Sequence, residues 1–399
     1  MTEGGVCTVN YVTTHVGHHC ELGHLRLTQQ EREQIASKIA VRIPMSTILD
    51  EVRSSICDQL ERLHLLSQKD LQNIERSFNL NCNIMRHQDD WTSVNAWVHA
   101  MQDSDNSCVL FYKPQGEEYR GLNRDDFVLL LMNDAQRGML EKYGNDCLCM
   151  DSTHGLNSYG FELVTVLVLD DLRQGFLCAF MLSNRTDQTV VTLFLNHIFR
   201  QTETITPEVF MSDMAEAFYN SWCEVMGPPK KRLFCAWHVD RAWRKNLTKI
   251  KTSEKQVEMY KLVRTIMQER DPDTFSILLN EGLKIMNNDP DTAEFGNYFQ
   301  NSYVSCKELW AYCYRVHTGL NTNMHLERMH GTIRHIYLQG KNVKRLDKAL
   351  HAIMTFVRDK LIDRLVILHK GKVTSKISHL RHRHKKKTFY VKRCCITKR

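Results

Sequence analysis

The sequence predicts an α/β fold: a mixed five-stranded sheet covered by helices, interrupted by an all-helical insertion and preceded by a separate helical region. Three observations predict it. From about residue 146 to 238, five short apolar segments are separated first by tight turns and then by helical stretches. Two of these segments end in an acid, "CLCMD" at Asp151 and "EVFMSD" at Asp213. From about 250 to 315 the strand pattern gives way to long helical stretches rich in Lys, Glu and Asn.

The chain has 399 residues, 42% of them hydrophobic, enough for more than one domain with a proper core. Its net charge of +7 is unevenly placed, because no acidic residue follows Asp363 while 13 of the 53 Lys and Arg do. The body is therefore mildly acidic and the end strongly basic, a pattern that points to a polyanion partner or a nuclear-import segment. The 14 cysteines form no regular framework, and "MTEGGVCTVN" has neither the basic start nor the apolar stretch of a secretory signal. Reduced thiols are expected, and with the basic end the expected compartment is the nucleus. The most apolar run, "FELVTVLVL" (161–169), is too short to span a bilayer, so no membrane partner is expected.

Residues 1–25 hold Cys7, His15, His18, His19, Cys20 and His24. Cys7, His15 and His18 are candidate zinc ligands, but a tetrahedral site usually draws on Cys pairs, and one Cys upstream of the histidines reads as the remnant of a module. Residues 26–80 turn helical. "TQQE" spells a capping box on Thr28, with Leu27, Ile35 and Ile39 at helical spacing. Pro44 breaks the pattern, and Ser46 restarts it with Ile48, Leu49, Val52 and Ile56 on the apolar side. Ser67 caps a third helix. Three short helices fit a DNA-reading helix-turn-helix region or a plain small bundle. Residues 81–145 are a mixed connecting region: "VNAWVHAM" reads as helix, "CVLFYK" and "FVLLLMN" as strands, and "DAQRGMLEKYG" as a helix between Asn133 and Gly144.

The region 146–365 then supplies the sheet. "CLCMD", "FELVTVLVL" and "GFLCAFML" read as an antiparallel meander, followed by a helix over 188–199. "EVFMSD", a helix closed by Gly227 and "RLFCAWH" follow, the last with the short connection of a parallel crossover. Three antiparallel strands, a helix, a strand, a helix and a strand is the order of a ribonuclease-H-like fold. After the insertion, "NTNMHLERMHGTIRHIYL" resumes a strong helix whose buried arc is Leu326, Met329, Ile333, Ile336 and Tyr337. Glu327 lies on the flank of that arc, together with Asn323, His330 and Arg334.

Asp151 and Asp213 end core strands whose carboxyl ends lie close together in such a sheet. Two carboxylates there repel unless a cation sits between them, and hard oxygen ligands suit Mg²⁺ or Mn²⁺. Glu327 is the candidate third ligand. Two such ions would serve in-line displacement at a phosphodiester, with no covalent protein intermediate and no small-molecule substrate. Strand-end Asp residues also cap turns, and helical Glu residues usually face solvent, so the weight rests on their joint order. Cys235 and His238, three apart in "RLFCAWHVDRAW", could be half of a zinc site, a site histidine with a packed thiol, or a plain strand running into a helix.

The stretch from about 140 to 350 resembles the catalytic domain of Mutator-like element (MULE) transposases. "MDSTHGLN" resembles that family's first-acid strand, "FMSDMAEAF" its second-acid strand and helix, "CAWHVDRAWRKNL" its Cys-x-x-His signature, and "TNMHLERMHGTIR" the start of its third-acid helix. The resemblance implies a DDE-type transposase whose Asp151, Asp213 and Glu327 hold two Mg²⁺ or Mn²⁺ ions, with His238 assisting. It places Cys235, Asn323, His330 and Arg334 in the neighbourhood of that site. It implies DNA as partner, a homodimer or higher oligomer, and metal-dependent DNA strand cleavage and transfer at element ends. Many relatives carry a zinc finger after the catalytic domain. The end "YVKRCCITKR" lacks its pattern, which leaves a truncated chain or a host-adopted descendant. Such a descendant could serve as a DNA-binding transcription regulator without catalysis; a nuclease unrelated to transposition is a further reading. In the basic tail, 366–399, Arg381, Arg383, Lys385, Lys386 and Lys387 are the candidate DNA contacts, suited to phosphates by like charge alone.

Overall fold

The computed structural model describes residues 22, 25–41, 43–56, 59–78, 80, 85–171, 173–316, 318, 320, 322–338, 340 and 345–370, and the backbone at 2–3 and 6–7. The chain divides into two compact units, Met1–Arg86 and His87–Arg399.

In the first unit, β1 (Thr2–Glu3) pairs antiparallel with β2 (Val6–Cys7). Three helices follow: α1 (Gln29–Ala40), α2 (Met45–Ser54) and α3 (Gln68–Ser77). Thr28 with Glu31 and Ser67 with Asp70 form the two capping boxes, each satisfying orphan N–H groups at a helix start. Ile35, Ile39, Ile48, Val52, Leu71 and Ile74 interlock as one small core. Ile56, expected on the apolar side of α2, is 45% exposed because that helix ends at Ser54.

The second unit opens with α4 (Asp90–Gln102), β3 (Val109–Lys113), β4 (Val128–Leu131) and α5 (Asp134–Tyr143). Then come β5 (Cys147–Thr153), β6 (Glu162–Leu169), β7 (Gly175–Ser183), α6 (Gln188–Thr202), β8 (Val209–Ser212), α7 (Glu216–Met226), β9 (Arg232–Phe234) and α8 (Ala236–Asn246). The sheet order is β3-β4-β7-β6-β5-β8-β9. The β5–β8 and β8–β9 pairs are parallel and all other pairs are antiparallel. The sheet thus has seven strands where the sequence reading expected five. β3 and β4 were expected as strands of a connecting region, but β4 pairs along the free edge of β7, whose residues are buried from Phe176 to Ser183. An edge so apolar would otherwise stand open to pairing with another chain.

Alternation along the strands sorts the two faces. Leu148, Met150, Val164, Val166 and Phe210 point to the side covered by α5, α6 and α7, where Phe194, Leu195 and Trp222 pack. Cys147, Cys149, Leu163, Leu167, Met211, Leu233 and Cys235 point to the other side. By the same parity Asp151 and Asp213 belong to that second side. It is covered by α4 and by two later helices, α13 (Met324–Thr332) and α14 (Leu346–Lys370), through Val94, Leu326, Ile333, Ile353 and Phe356.

Between α8 and α13 lie α9 (Ser253–Gln268), α10 (Pro272–Asn288), α11 (Ala293–Phe299) and α12 (Lys307–Trp310). They bury a separate aromatic core of Trp243, Phe275, Phe295, Phe299, Tyr303 and Trp310.

Two further expectations need correction. The run "RLFCAWH" is strand only to Phe234; Cys235 is the N-cap of α8 and His238 lies in its first turn. The turn occurs there because Val239 N–H already closes onto the Cys235 carbonyl, and Val239 and Trp243 repeat at helical spacing to face the core. Ile336, expected on a buried arc, is 68% exposed. Beyond Thr332 the helix widens into a π turn over Ile333–Tyr337, which adds a residue to the turn and rotates Ile336 outward. Tyr337 instead packs edge-on against Phe356. Among the described residues no helix is long and apolar enough to cross a membrane.

The approach of α13 to the sheet depends on Gly175. A Cβ at that position would stand 2.7 Å from His325 Cβ and 2.9 Å from Leu167 Cδ1. Gly175→Ala should therefore destabilise the protein by about 1–3 kcal/mol through overpacking. Gly138, inside α5, has nothing within 4 Å of its missing Cβ. Gly138→Ala should stabilise by about 0.5–1 kcal/mol from helix preference alone. Urea unfolding midpoints read both; a neutral Gly175→Ala would contradict the close seating of α13.

Candidate catalytic site

Asp151 sits on β5, the strand that joins the antiparallel and parallel parts of the sheet, and is 4% exposed. Each of its oxygens has a partner. Oδ1 accepts the Ser152 N–H at 3.0 Å, and Oδ2 accepts from Asn323 Nδ2 at 2.8 Å. His238 Nε2 faces Oδ1 at 3.8 Å. Asp213 follows β8, the parallel neighbour of β5, and is half-buried, with Oδ1 accepting the Ala215 N–H at 3.0 Å. Glu327 rides in the first turn of α13, half-buried, and its Oε1 is buried without a hydrogen-bond partner.

The three acids share one electrostatic environment. Burial, then the negative charge of Asp213 and, more weakly, that of Glu327, push the Asp151 carboxyl up to about 8, against the pull of the Ser152 and Asn323 bonds. Burial also raises Asp213, offset by the Ala215 N–H, and raises Glu327, offset by the nearby charge of Arg241. All three carboxyls are thus raised by burial, and Asp151 in addition by its two acidic neighbours, the electrostatic pattern that marks a candidate functional site. His238 moves the other way: burial, with Arg241, pushes it down to about 4. It is therefore a neutral imidazole at neutral pH, and its contact with Asp151 is not an ion pair.

The flank of α13 is tied to the sheet at each turn. Asn323 reaches Asp151, and His330 Nε2 lies 3.2 Å from Thr165 Oγ1. Thr165 is the residue paired with Asp151 across β5 and β6. Arg334 donates to the carbonyl of His154, just past β5. Cys235, fully buried, donates its thiol to Asn323 Oδ1 at 2.7 Å, so it binds the site through an amide. Asn323, His330, Arg334, Cys235 and His238 thus gather around Asp151 and the strands beside it. The side chains of Cys7, His15 and His18, and the tail residues Arg381, Arg383, Lys385, Lys386 and Lys387, lie outside the described residues.

Sequence reasoning missed Thr165 and Arg241. Thr165 had a signal, as a lone hydroxyl amid the apolar run of β6. Arg241 lies three residues after His238, one helical turn on, and its guanidinium covers the half-exposed Trp237 ring at 5.2 Å. Trp237 in turn packs edge-on against His238.

The donor set suits a hard divalent cation: carboxylate oxygens only, raised carboxyls, and one buried oxygen without a partner. Among the described residues, however, no group of three or more His, Cys, Asp or Glu side chains is placed so that it could hold a metal ion.

Burial also sets the sign of the pH dependence. Between the ordinary Asp value of 3.8 and about 8, folded Asp151 keeps a proton that the unfolded chain has released, so stability falls as pH rises through that range. His238 and His330, both pushed down from 6.5 to about 4, act oppositely, and their contribution is lost as pH falls below 6.5. Above about pH 6.5 the Asp151 effect stands alone between the two. Thermal midpoints in EDTA should therefore drop from about pH 6.5 to 8, and Asp151→Asn should flatten that limb. Parallel profiles for the two proteins would contradict a buried, protonated Asp151.

No curated protein matches the chain. A family model does: the MULE transposase domain, over residues 147–242. The matched span begins at the first residue of β5 and runs into α8, so it contains Asp151, Asp213, Cys235 and His238 and stops short of Glu327. With the strand order and the acids already placed, residues 147–242 of this chain are similar to the MULE transposase domain.

Proposed function

We propose that the protein is a MULE-type transposase, or a descendant of one, that cleaves and transfers DNA strands at element ends with divalent ions held by Asp151, Asp213 and Glu327. One observation carries the reading. Asp151 lies on β5 and Asp213 follows its parallel neighbour β8, on the same side of the sheet, and Glu327, on the helix covering that side, is near enough for its charge to act on Asp151. The order β7-β6-β5-β8-β9, three antiparallel strands and then two parallel, supports a ribonuclease-H-like core with β3 and β4 added at one edge.

Bound Mg²⁺ or Mn²⁺ would offset the three carboxylates and stabilise charge on a phosphodiester undergoing in-line displacement. The chain's own groups do the rest. Asn323 and Ser152 hold Asp151 by both oxygens. His238, neutral and beside Asp151, can hydrogen-bond a phosphate or a leaving oxygen. Arg241 brings positive charge to the rim, where Trp237 exposes a ring face to the solvent. The three-helix unit and the basic tail, with Arg381, Arg383, Lys385, Lys386 and Lys387, are the proposed duplex contacts. Nuclear localisation, self-association and zinc at Cys7, His15 and His18 belong to the same proposal.

That no group of three such side chains among the described residues is placed to hold a metal ion favours a second reading, a DNA-binding regulator that keeps the scaffold without the chemistry. The two separate on one variant. Asp213→Asn removes a charge from the acid cluster and no phosphate contact. It should lower Mg²⁺-dependent strand cleavage by more than the roughly 100-fold that loss of an outer-shell partner costs. DNA affinity, measured by anisotropy on the same end sequence, should stay near that of the unaltered protein. Equal loss of cleavage and binding, or no cleavage by the unaltered protein, would reject the enzymatic reading.

A further inference from the structure

Asn323 stands at the N-cap of α13, a position where an Asn side chain ordinarily accepts an N–H from its own helix. It does not do so. The amide, fully buried, turns away and joins two other elements: Nδ2 donates to Asp151 Oδ2 at 2.8 Å, and Oδ1 accepts from Cys235 Sγ at 2.7 Å. The Asn323 backbone N–H returns a bond to Cys235 Sγ at 3.4 Å. Cys235 is itself the N-cap of α8, and its thiol lies between the Asn323 amide and the Trp237 and His238 N–H groups of its own helix start.

The amide's orientation follows from its partners. It has one acceptor end and one donor end. The buried thiol, pushed up to about 11 chiefly by burial, is protonated and donates, so it selects the oxygen. That leaves the NH₂ for the carboxylate. A flipped amide would lose both the thiol's bond to Oδ1 and the NH₂ bond to Asp151 Oδ2. His238, three residues after Cys235, faces the other oxygen of the same carboxylate at 3.8 Å.

We propose that the Cys-x-x-His run is one positioning device for Asp151, in which Cys235 fixes the Asn323 amide, Asn323 holds Oδ2, and His238 faces Oδ1. Cys235 and Asn323 are positioning residues, acting on the ion site through Asp151, and Cys235 is not a zinc ligand. The inference rests on the reading of Asp151, Asp213 and Glu327 as metal ligands. Asn323 also accepts the Leu326 N–H at 2.7 Å and the Glu327 N–H at 3.3 Å on its carbonyl, so the same residue sets the start of the turn that carries the third acid.

The experiment is Mn²⁺ binding to the full chain by electron paramagnetic resonance, with melting curves as the control for folding. Asn323→Ala should weaken Mn²⁺ by about 10–100-fold, the range for loss of an outer-shell partner. Cys235→Ala should weaken it by most of that factor, and the double variant should be no weaker than Asn323→Ala, since both act through one amide. Cys235→Ser keeps a donor and should restore binding; it carries the same test should the alanine variant fail to fold. Multiplying effects, binding unchanged in folded Asn323→Ala, or a serine variant no tighter than alanine would overturn the proposal while leaving the metal reading intact. An unaltered chain that binds no Mn²⁺, like Asp213→Asn, would overturn both.

Discussion

A carboxyl buried on an interior strand of a sheet is a costly feature, and Asp151 is 4% exposed. Most of what surrounds it can be understood as a response to that cost. The Ser152 N–H and the Asn323 amide satisfy its two oxygens, and His238 stands neutral beside it. The compensation is incomplete: burial, and then the negative charge of Asp213 and of Glu327, still hold the group up at about 8. A fold that only needed stability would do better with an apolar residue there. The arrangement makes physical sense as a site prepared for a positive ion.

Sheet parity and helix packing make the arrangement reproducible. β5 and β8 run parallel, so their carboxyl ends lie together, and alternation puts Asp151 and Asp213 on the side that α13 covers. α13 is pinned by Asn323 to Asp151, by His330 to Thr165, and by Arg334 to the chain after β5. Gly175 clears the space in which His325 meets β7. The aromatic core formed by α8 to α12, which Phe234 of β9 joins, holds α8 through Trp243 against Phe299, Tyr303 and Trp310. His238 and Cys235, at the start of α8, therefore connect two separately packed cores.

Much of this was legible in the residues. The apolar alternation of the central strands and the capping boxes at Thr28 and Ser67 are local patterns, and local patterns survive folding; the expected strand end at Asp151 did not, since β5 stays paired with β6 through Ser152 and Thr153. Glu327, Asn323, His330 and Arg334 could be placed on one helical flank by spacing alone. What sequence could not show depends on partners distant in the chain. The pairing of β4 with β7 added two strands to the sheet. The end of β9 at Phe234 was hidden because "RLFCAWH" is apolar enough for strand or helix, and the i-to-i+4 closure on Cys235 decided it. The π turn that exposes Ile336 leaves no periodic trace, since it breaks the period. The Cys235 to Asn323 contact spans 88 positions, and neither residue advertises it.

The central claim is that Asp151, Asp213 and Glu327 form a cation site positioned by Asn323. The most direct measurement is an anomalous difference map from crystals of the full chain soaked in Mn²⁺. A peak bounded by oxygens of Asp151, Asp213 and Glu327, with the Asn323 bond to Asp151 intact, is the predicted result. No peak at that position, or one on Asp151 alone with Glu327 turned away, would contradict the account.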